Sequence, residues 1–221
     1  MRMSAVKFKK LKSGSWISLL VSLVMLIGAG TLSNPARAEG LDLALSDDTA
    51  NLSVLLNPFN PQRFDPRKRR QIGVVPRGSE LALGAFVNEI GDNLLHATIL
   101  TKGVHIPNGR LYKFGAGLRV IGGELEVDEN VSALALGFHT LVMLGFAATT
   151  PIDFIFEGWY APGISSFSDA ENYIELSARL QVEIIGQARA YVGFRRLTFE
   201  TNDFGDQELD NGVHLGLNIT F

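Results

Sequence analysis

The sequence predicts an all-β fold, an antiparallel transmembrane β-barrel of about ten strands, with eight as the alternative count. Three observations carry this. Hydrophobicity alternates with a period of two in segment after segment; no apolar run after residue 38 is long enough for a spanning helix; and acidic side chains gather in every second turn. A chain of 221 residues with 46% hydrophobic and 19% charged side chains has material for one sizeable domain and lacks the composition of a disordered chain. Cysteine is absent, which removes disulfide scaffolds, thiolate metal sites and cysteine nucleophiles.

The chain opens on a different pattern. Arg2, Lys7, Lys9, Lys10 and Lys12 form a basic start, residues 16–32 are almost entirely apolar, and Ala36-Arg37-Ala38 sets small residues two apart. Residues 1–38 therefore read as a secretory signal peptide cleaved before Glu39, and 39–221 as the mature barrel. The leader carries six basic and no acidic side chains, leaving 14 basic against 23 acidic, a net of −9, for the rest. That balance argues against a nucleic-acid partner.

Turn signals from Gly, Pro, Asn and Asp divide the remainder into strands near 40–46, 50–57, 79–89, 93–102, 110–121, 131–144, 152–160, 172–185, 188–200 and 211–221. The pattern is plainest from Ile174, where Ile174, Leu176, Ala178, Leu180, Val182 and Ile184 alternate with Tyr173, Glu175, Ser177, Arg179, Gln181 and Glu183. Tyr112, Phe114, Ala116, Leu118 and Val120 alternate in the same way with Lys113, Gly115, Gly117 and Arg119. The segment 58–78, with Pro58, Pro61, Pro66, Pro76 and the basic run Arg67 to Arg70, breaks the rhythm and reads as an inserted loop. A solvated charge run explains Arg67 to Arg70, with contact to anionic lipid as the competing account.

Alternation alone fits a soluble barrel with an apolar core as well as a membrane barrel with an apolar outside. Three features favour the second. The polar face is built largely of small residues such as Ala82, Gly84, Ala135, Gly137, Gly193 and Gly216, which suit a crowded lumen better than a wet surface. Fifteen of the 23 acidic residues fall in alternate turns: Asp47 and Asp48; Glu89 and Asp92; Glu124, Glu126, Asp128 and Glu129; Asp169 and Glu171; Glu200, Asp203, Asp206, Glu208 and Asp210. The intervening turns are mostly short, as on the periplasmic side of membrane barrels. Finally, Val213, Leu215, Leu217, Ile219 and Phe221 form an alternating strand ending on an aromatic residue, the kind of C-terminal signal through which outer-membrane barrels are handed to the insertion machinery.

Several stretches resemble the YfaZ family of Gram-negative outer-membrane proteins: LALSDDTANLSVLL at 43–56, LALGAFVNEIGDNLL at 81–95, YAPGISSFSDAENY at 160–173, YVGFRRL at 191–197 and DNGVHLGLNITF at 210–221. Tyr160-Ala161-Pro162, followed by Ser166-Phe167 and Asp169-Ala170-Glu171, is the most specific piece, since strand propensity does not dictate it. Segment 58–78 is longer than the family pattern. The resemblance implies a barrel in the outer membrane of a Gram-negative bacterium, and a fold rather than a chemistry.

The inward parity collects Lys113, Arg119, Glu157, Glu175, Arg179, Glu183, Arg189 and Arg195, a mixed-charge set that would be costly against lipid. A tight turn centred on Gly186 sets Glu183 opposite Arg189. These charges pair across strands and fill the lumen, or they line a narrow path for ions or small solutes. His139 and His214 follow the same parity, His105 falls in a short-turn loop, and His96 has no clear facing. No G-x-S-x-G, H-E-x-x-H or phosphate-binding glycine loop is present, so no catalytic residue, cofactor or metal site is assigned and no enzyme is expected. Ser165, Ser166 and Ser168 beside Asp169 read as a turn that caps backbone amides. The acidic turns offer oxygen ligands for divalent cations, but their spacing fits no EF-hand, and solvated turns are the simpler account. Tyr160, Phe167, Tyr173 and Phe199 read as an interfacial girdle at the outer rim, while Trp159 has inward parity.

The sequence thus predicts a structural or small-pore outer-membrane barrel whose partners are outer-membrane lipids and the barrel-insertion machinery. An outer-membrane enzyme acting on lipid or peptide and a soluble secreted binding barrel are the competing classes. Intact-mass analysis of the exported protein is expected to show a chain beginning at Glu39; a mature form still beginning near Met1 would refute the leader.

Overall fold

The computed structural model describes residues 38–56, 75–105, 111–126, 129–144 and 151–221. The chain divides into two units, residues 1–37 and 38–221, and the described residues all belong to the second. The leader up to Arg37, positions 58–74 of the inserted loop and Asp128 lie outside the described residues.

The described part is all-β. In chain order the strands are β1 (Ala38–Leu45), β2 (Thr49–Leu56), β3 (Val75–Asn88), β4 (Asn93–His105), β5 (Tyr112–Glu124), β6 (Asn130–Met143), β7 (Ile152–Ala161), β8 (Ser166–Ser168), β9 (Ala170–Ile185), β10 (Ala188–Thr201) and β11 (Gly205–Thr220). Every pairing is antiparallel, in the order β5-β4-β3-β2-β1-β11-β10-β9-β7-β6, and β6 returns to β5. The sheet is a closed ten-stranded barrel. Its first and last strands meet from Gly40 opposite Thr220 to Leu45 opposite Leu215, so neither is left with an open edge.

β8 is an addition to the expected ten. β7 leaves β6 at Tyr160 opposite Leu136, and β8 takes up the same neighbour higher up, at Ser166 to Ser168 opposite Ala133 to Val131. One stave of the wall is therefore in two pieces. Pro162 has no N–H to continue the ladder, and a single turn of 3-10 helix, Gly163–Ser165, follows it. The Pro162 carbonyl accepts the Ser165 amide (2.8 Å) and both the Ser165 and Ser166 hydroxyls (3.2 Å each). These serines hold the turn through a carbonyl, not by capping amides as their position implied. Ser168 closes it with a left-handed φ of 62°.

The parity of the strands sorts side chains as the alternation requires. On β9 Ile174, Leu176, Leu180, Val182 and Ile184 are exposed on the outside, while Tyr173, Glu175 and Gln181 are buried within. The outward apolar run of β9, from Ile174 to Ile184, matches the length of about 9–11 residues with which a tilted strand crosses a bilayer. β3 begins at Val75 and β4 ends at His105, so both strands are longer than their turn signals indicated, and His105 stands on a strand instead of in a loop. No helix among the described residues is long and apolar enough to cross a membrane, a statement that leaves strands untouched.

Glycine has a particular use inside this wall. Gly84, Gly137, Gly193 and Gly216 sit directly opposite His96, Trp159, His214 and Tyr191, and each ring lies flat over its glycine. A Cβ added at Gly137 would come 2.1 Å from the Trp159 ring, and one at Gly216 would come 2.0 Å from that of Tyr191. The large ring thus occupies the room that its partner leaves, which fills the lumen without splaying the strands. Gly158 and Phe138 repeat the arrangement on the outside.

A register shift between Leu197 and Thr198 of β10 leaves Leu209 of β11 unpaired, since Leu197 faces Asp210 and Thr198 faces Glu208. This bulge turns Leu209 inward against its parity, beside Asp210, which the alternation already sends inside; both are buried.

Two substitutions test this arrangement. Ala178, mid-strand on the outward face of β9, replaced by Arg should lower stability by roughly 2–4 kcal/mol in reversible unfolding from lipid; an unchanged midpoint would refute the facing. Gly137→Val should cost about 1–3 kcal/mol by overpacking, whereas Gly186→Ala, with nothing within 4 Å of the added carbon, should leave the midpoint in place.

Candidate functional site in the barrel lumen

The lumen has an apolar end and a charged end. Towards the acidic turns Phe86, Leu94, Ile121, Val131, Tyr173, Leu197 and Phe199 belong to one buried cluster, in which Tyr173 and Phe199 have no exposed surface and pack with ring centroids 4.8 Å apart, tilted by 38°. The girdle expected from Tyr173 and Phe199 is therefore corrected. Both have the odd parity of Glu175 and Arg195, and β9 and β10 turn that parity inward. Tyr160 and Phe167 are exposed, and Trp159 is buried inside.

Directly beneath the cluster lie two ion pairs. Arg119 on β5 donates Nη1 to Glu175 on β9, across two intervening staves, and Nε to Thr98 (2.9 Å). Tyr173 donates its hydroxyl to the same Glu175 carboxylate (2.5 Å), and Trp159 stacks its ring against the Arg119 guanidinium at 4.2 Å. Arg195 donates Nε to Asp210 (2.5 Å) and lies over the Phe86 ring at 5.0 Å. Arg119, Glu175, Arg195 and Asp210 are all buried. Charges so placed hold only as pairs, because removing one partner strands the other away from water.

A second network crosses the lumen lower down. Asp42 on β1 accepts from Arg179 Nη1 (2.9 Å), the Tyr191 hydroxyl (2.5 Å) and Asn218 Nδ2 (3.1 Å). Arg179 also stands 3.8 Å from Glu157, whose other contact is His139 Nδ1 at 2.8 Å. Nearer the end where β1 begins and β11 ends, Arg189 pairs with Glu183 (3.4 Å) and Lys102 with Glu80 (2.8 Å); the turn is Gly186-Gln187, with Ile185 opposite Ala188, and a register shift at Ile184, not a turn centred on Gly186, sets Glu183 opposite Arg189. Lys113, on β5 opposite Leu141, lines the same space.

The eight sequence candidates are thus distributed over three levels. Arg119, Glu175 and Arg195 lie under the apolar cluster, Glu157 and Arg179 lie in the middle network, and Lys113, Glu183 and Arg189 lie towards the termini. Between them runs a cavity of about 320 Å³, bounded by Arg119, Trp159, Glu175 and Arg195 on the side of the cluster and reaching Arg189 and Thr220 on the other. The C-terminal run Val213, Leu215, Leu217, Ile219 and Phe221 is on the outward parity of β11, with Phe221 74% exposed.

Sequence reasoning missed several members. Asp210 counted as a turn acid because the turn signals start the last strand at 211, although its even position, the parity of His214 and Gly216, was the available signal. Asp42 sits alone between Leu41 and Leu43, and its even position, the parity of Gly40 and Ala44, was the available signal. Nor are the acidic turns all solvated. Asp92 is buried, accepting from Asn88 Nδ2 (2.6 Å) and the Glu126 amide (2.8 Å), so that it ties one hairpin turn to the next; Asp169 accepts the Asn130 amide (2.9 Å), and Glu129 is buried too. Among the described residues no three His, Asp or Glu side chains are placed to hold a metal ion.

Residues 112–221 match the family model described as YfaZ precursor. Of the five stretches that carry the resemblance, those at 160–173, 191–197 and 210–221 lie inside the match. No curated protein matches the chain. Among solved structures, one described as a bacterial polysaccharide outer membrane secretin aligns with 10% identity and a TM-score of 0.40 over 82% of this chain and 69% of that one, a likeness on which nothing is built. The match to the YfaZ precursor family thus takes in six of the ten staves.

Proposed function

We propose that this protein is a barrel of the Gram-negative outer membrane, structural in type, whose lumen its own side chains close at the acidic-turn end. The observation that carries the reading is the inversion of the usual core. Outward positions such as Leu95, Leu136, Leu176, Val213 and Leu215 are apolar and exposed around a ring with no open edge, while arginines and carboxylates are buried inside it. Such a surface is stable only against an apolar solvent. In water it would be a large sticky patch, which weighs against a soluble secreted barrel.

The choice between a closed barrel and a small pore rests on the upper lumen. The cavity stops at Arg119, Trp159, Glu175 and Arg195, and above it the cluster around Tyr173 and Phe199 leaves no exposed surface on either ring. Ions crossing that layer would have to leave water for an apolar medium. In this reading Phe221 and the outward residues of β11 meet the insertion machinery before β11 closes on β1, and lipid afterwards.

Single-channel recording of the refolded protein in planar bilayers decides the matter. The bilayer is expected to stay electrically sealed while heat-modifiable gel mobility shows the barrel folded. Discrete steps from the unaltered protein, changed in size by Arg119→Ala or Arg195→Ala, would establish a conducting lumen and overturn the closed barrel.

A further inference from the structure

The charged end of the lumen has more hydrogen-bond donors than the protein uses. Arg195 engages Asp210 through Nε alone. Among the described residues its two terminal nitrogens have no acceptor, and they are not among the buried, unpartnered polar atoms. Arg119 donates from Nε and Nη1 and makes no hydrogen bond from Nη2. Both arginines line the 320 Å³ cavity on the side of the apolar cluster, with Glu175 in the same wall. In the same cavity wall the Trp159 indole N–H is buried without an acceptor among the described residues. An arginine left with an unused edge in a low-dielectric site is a receptor for an oxyanion, because its planar fork matches two oxygens at once.

Glu175 accepts from Arg119 and Tyr173 through one oxygen, and Asp42 accepts from three side chains. Each of these carboxylates is thus engaged by an arginine, while among the described residues the terminal nitrogens of Arg195 are engaged by no acceptor. The volume is that of a small-solute pocket.

We propose that the lumen cavity binds a small solute carrying a carboxylate or phosphate group, held on the unused edges of Arg195 and Arg119 beside Trp159. The wall of the barrel separates this site from lipid, so the ligand is a water-soluble anion and not a lipid headgroup. The proposal does not depend on the closed-barrel reading, since a site of this kind would bind whether or not the lumen conducts.

The protein supplies its own reporter. It has two tryptophans, Trp16 in the leader and Trp159 in the cavity wall, so the processed chain has Trp159 alone. Folded, processed protein in detergent micelles would be titrated with inorganic phosphate and, separately, with succinate, at an ionic strength held constant with chloride. A saturable change in Trp159 emission is expected with at least one of the two, half-complete below about 10 mM, a weak but specific affinity; which one responds identifies the anion class. The double substitution Arg195→Gln with Asp210→Asn removes the pair without stranding a charge, and it should abolish the response while heat-modifiable mobility is retained. If that variant does not fold, Arg195→Lys, which keeps the charge and loses the fork, should weaken binding about tenfold. No saturable change with either anion, the same change with chloride alone, or an unaltered response in a folded Arg195 variant would overturn the proposal. The readout is taken without a bilayer, so its failure is distinct from a failure of the conductance experiment.

Discussion

Ring closure is the constraint on which the rest of this structure depends. A sheet that presents Leu, Ile, Val and Phe outwards can face hydrocarbon only if every backbone N–H and C=O in the apolar band is already paired, and an open sheet leaves two rows that are not. The pairing of β1 with β11 removes those rows. It also fixes everything inside, because a strand with a hydrophobic outer face has no choice but to send its alternate residues into the lumen.

The lumen then poses a packing problem with two kinds of solution. Where strands are close, a glycine opposite a ring lets one large side chain do the filling for two positions, as at Gly137 with Trp159. Where the space is wider, charged side chains reach across it. Arg119 joins β5 to β9, and Arg179 joins β9 to β1, neither of them a hydrogen-bonded neighbour of the strand it reaches. These contacts are transverse braces. Losing one member of such a buried pair typically costs about 3–5 kcal/mol, mostly from the charge left behind, so the braces enforce a particular lumen more than they add stability.

Much of this was legible in the sequence, and the physical reason is that a period of two is a local property. The facing of Ile174 to Ile184 and the strand count follow from alternation; Glu183 does meet Arg189, but through a Gly186-Gln187 turn followed by a register shift that the alternation does not show. What was not legible depends on residues far apart in the chain. The bulge at Leu209 exists because of its register with β10, and it turns Leu209 inward against its odd parity; Asp210 keeps the even, inward parity of His214 and Gly216, and the turn signals hid it by starting the strand at 211. Tyr173 and Phe199 were misplaced for a different reason: aromatic residues near strand ends invite assignment to a membrane interface, although their own odd numbers placed them inside. Pro162 marked a break, but the resumption of the wall in β8 depends on β6 being there to receive it.

The glycine and ring pairs carry a consequence for how such a chain can change over time. At Gly84 with His96, Gly137 with Trp159, Gly193 with His214 and Gly216 with Tyr191, neither residue is free to vary by itself, because the volume of each is set by the other. The heritable unit at these places is the rung rather than the residue. A lineage that enlarges one side of a rung must shrink the opposite side, or exchange the two, and the two directions of exchange leave the wall equally thick while moving the bulk to the neighbouring stave. The shape of the lumen is thereby able to drift around the barrel while the outer surface stays the same.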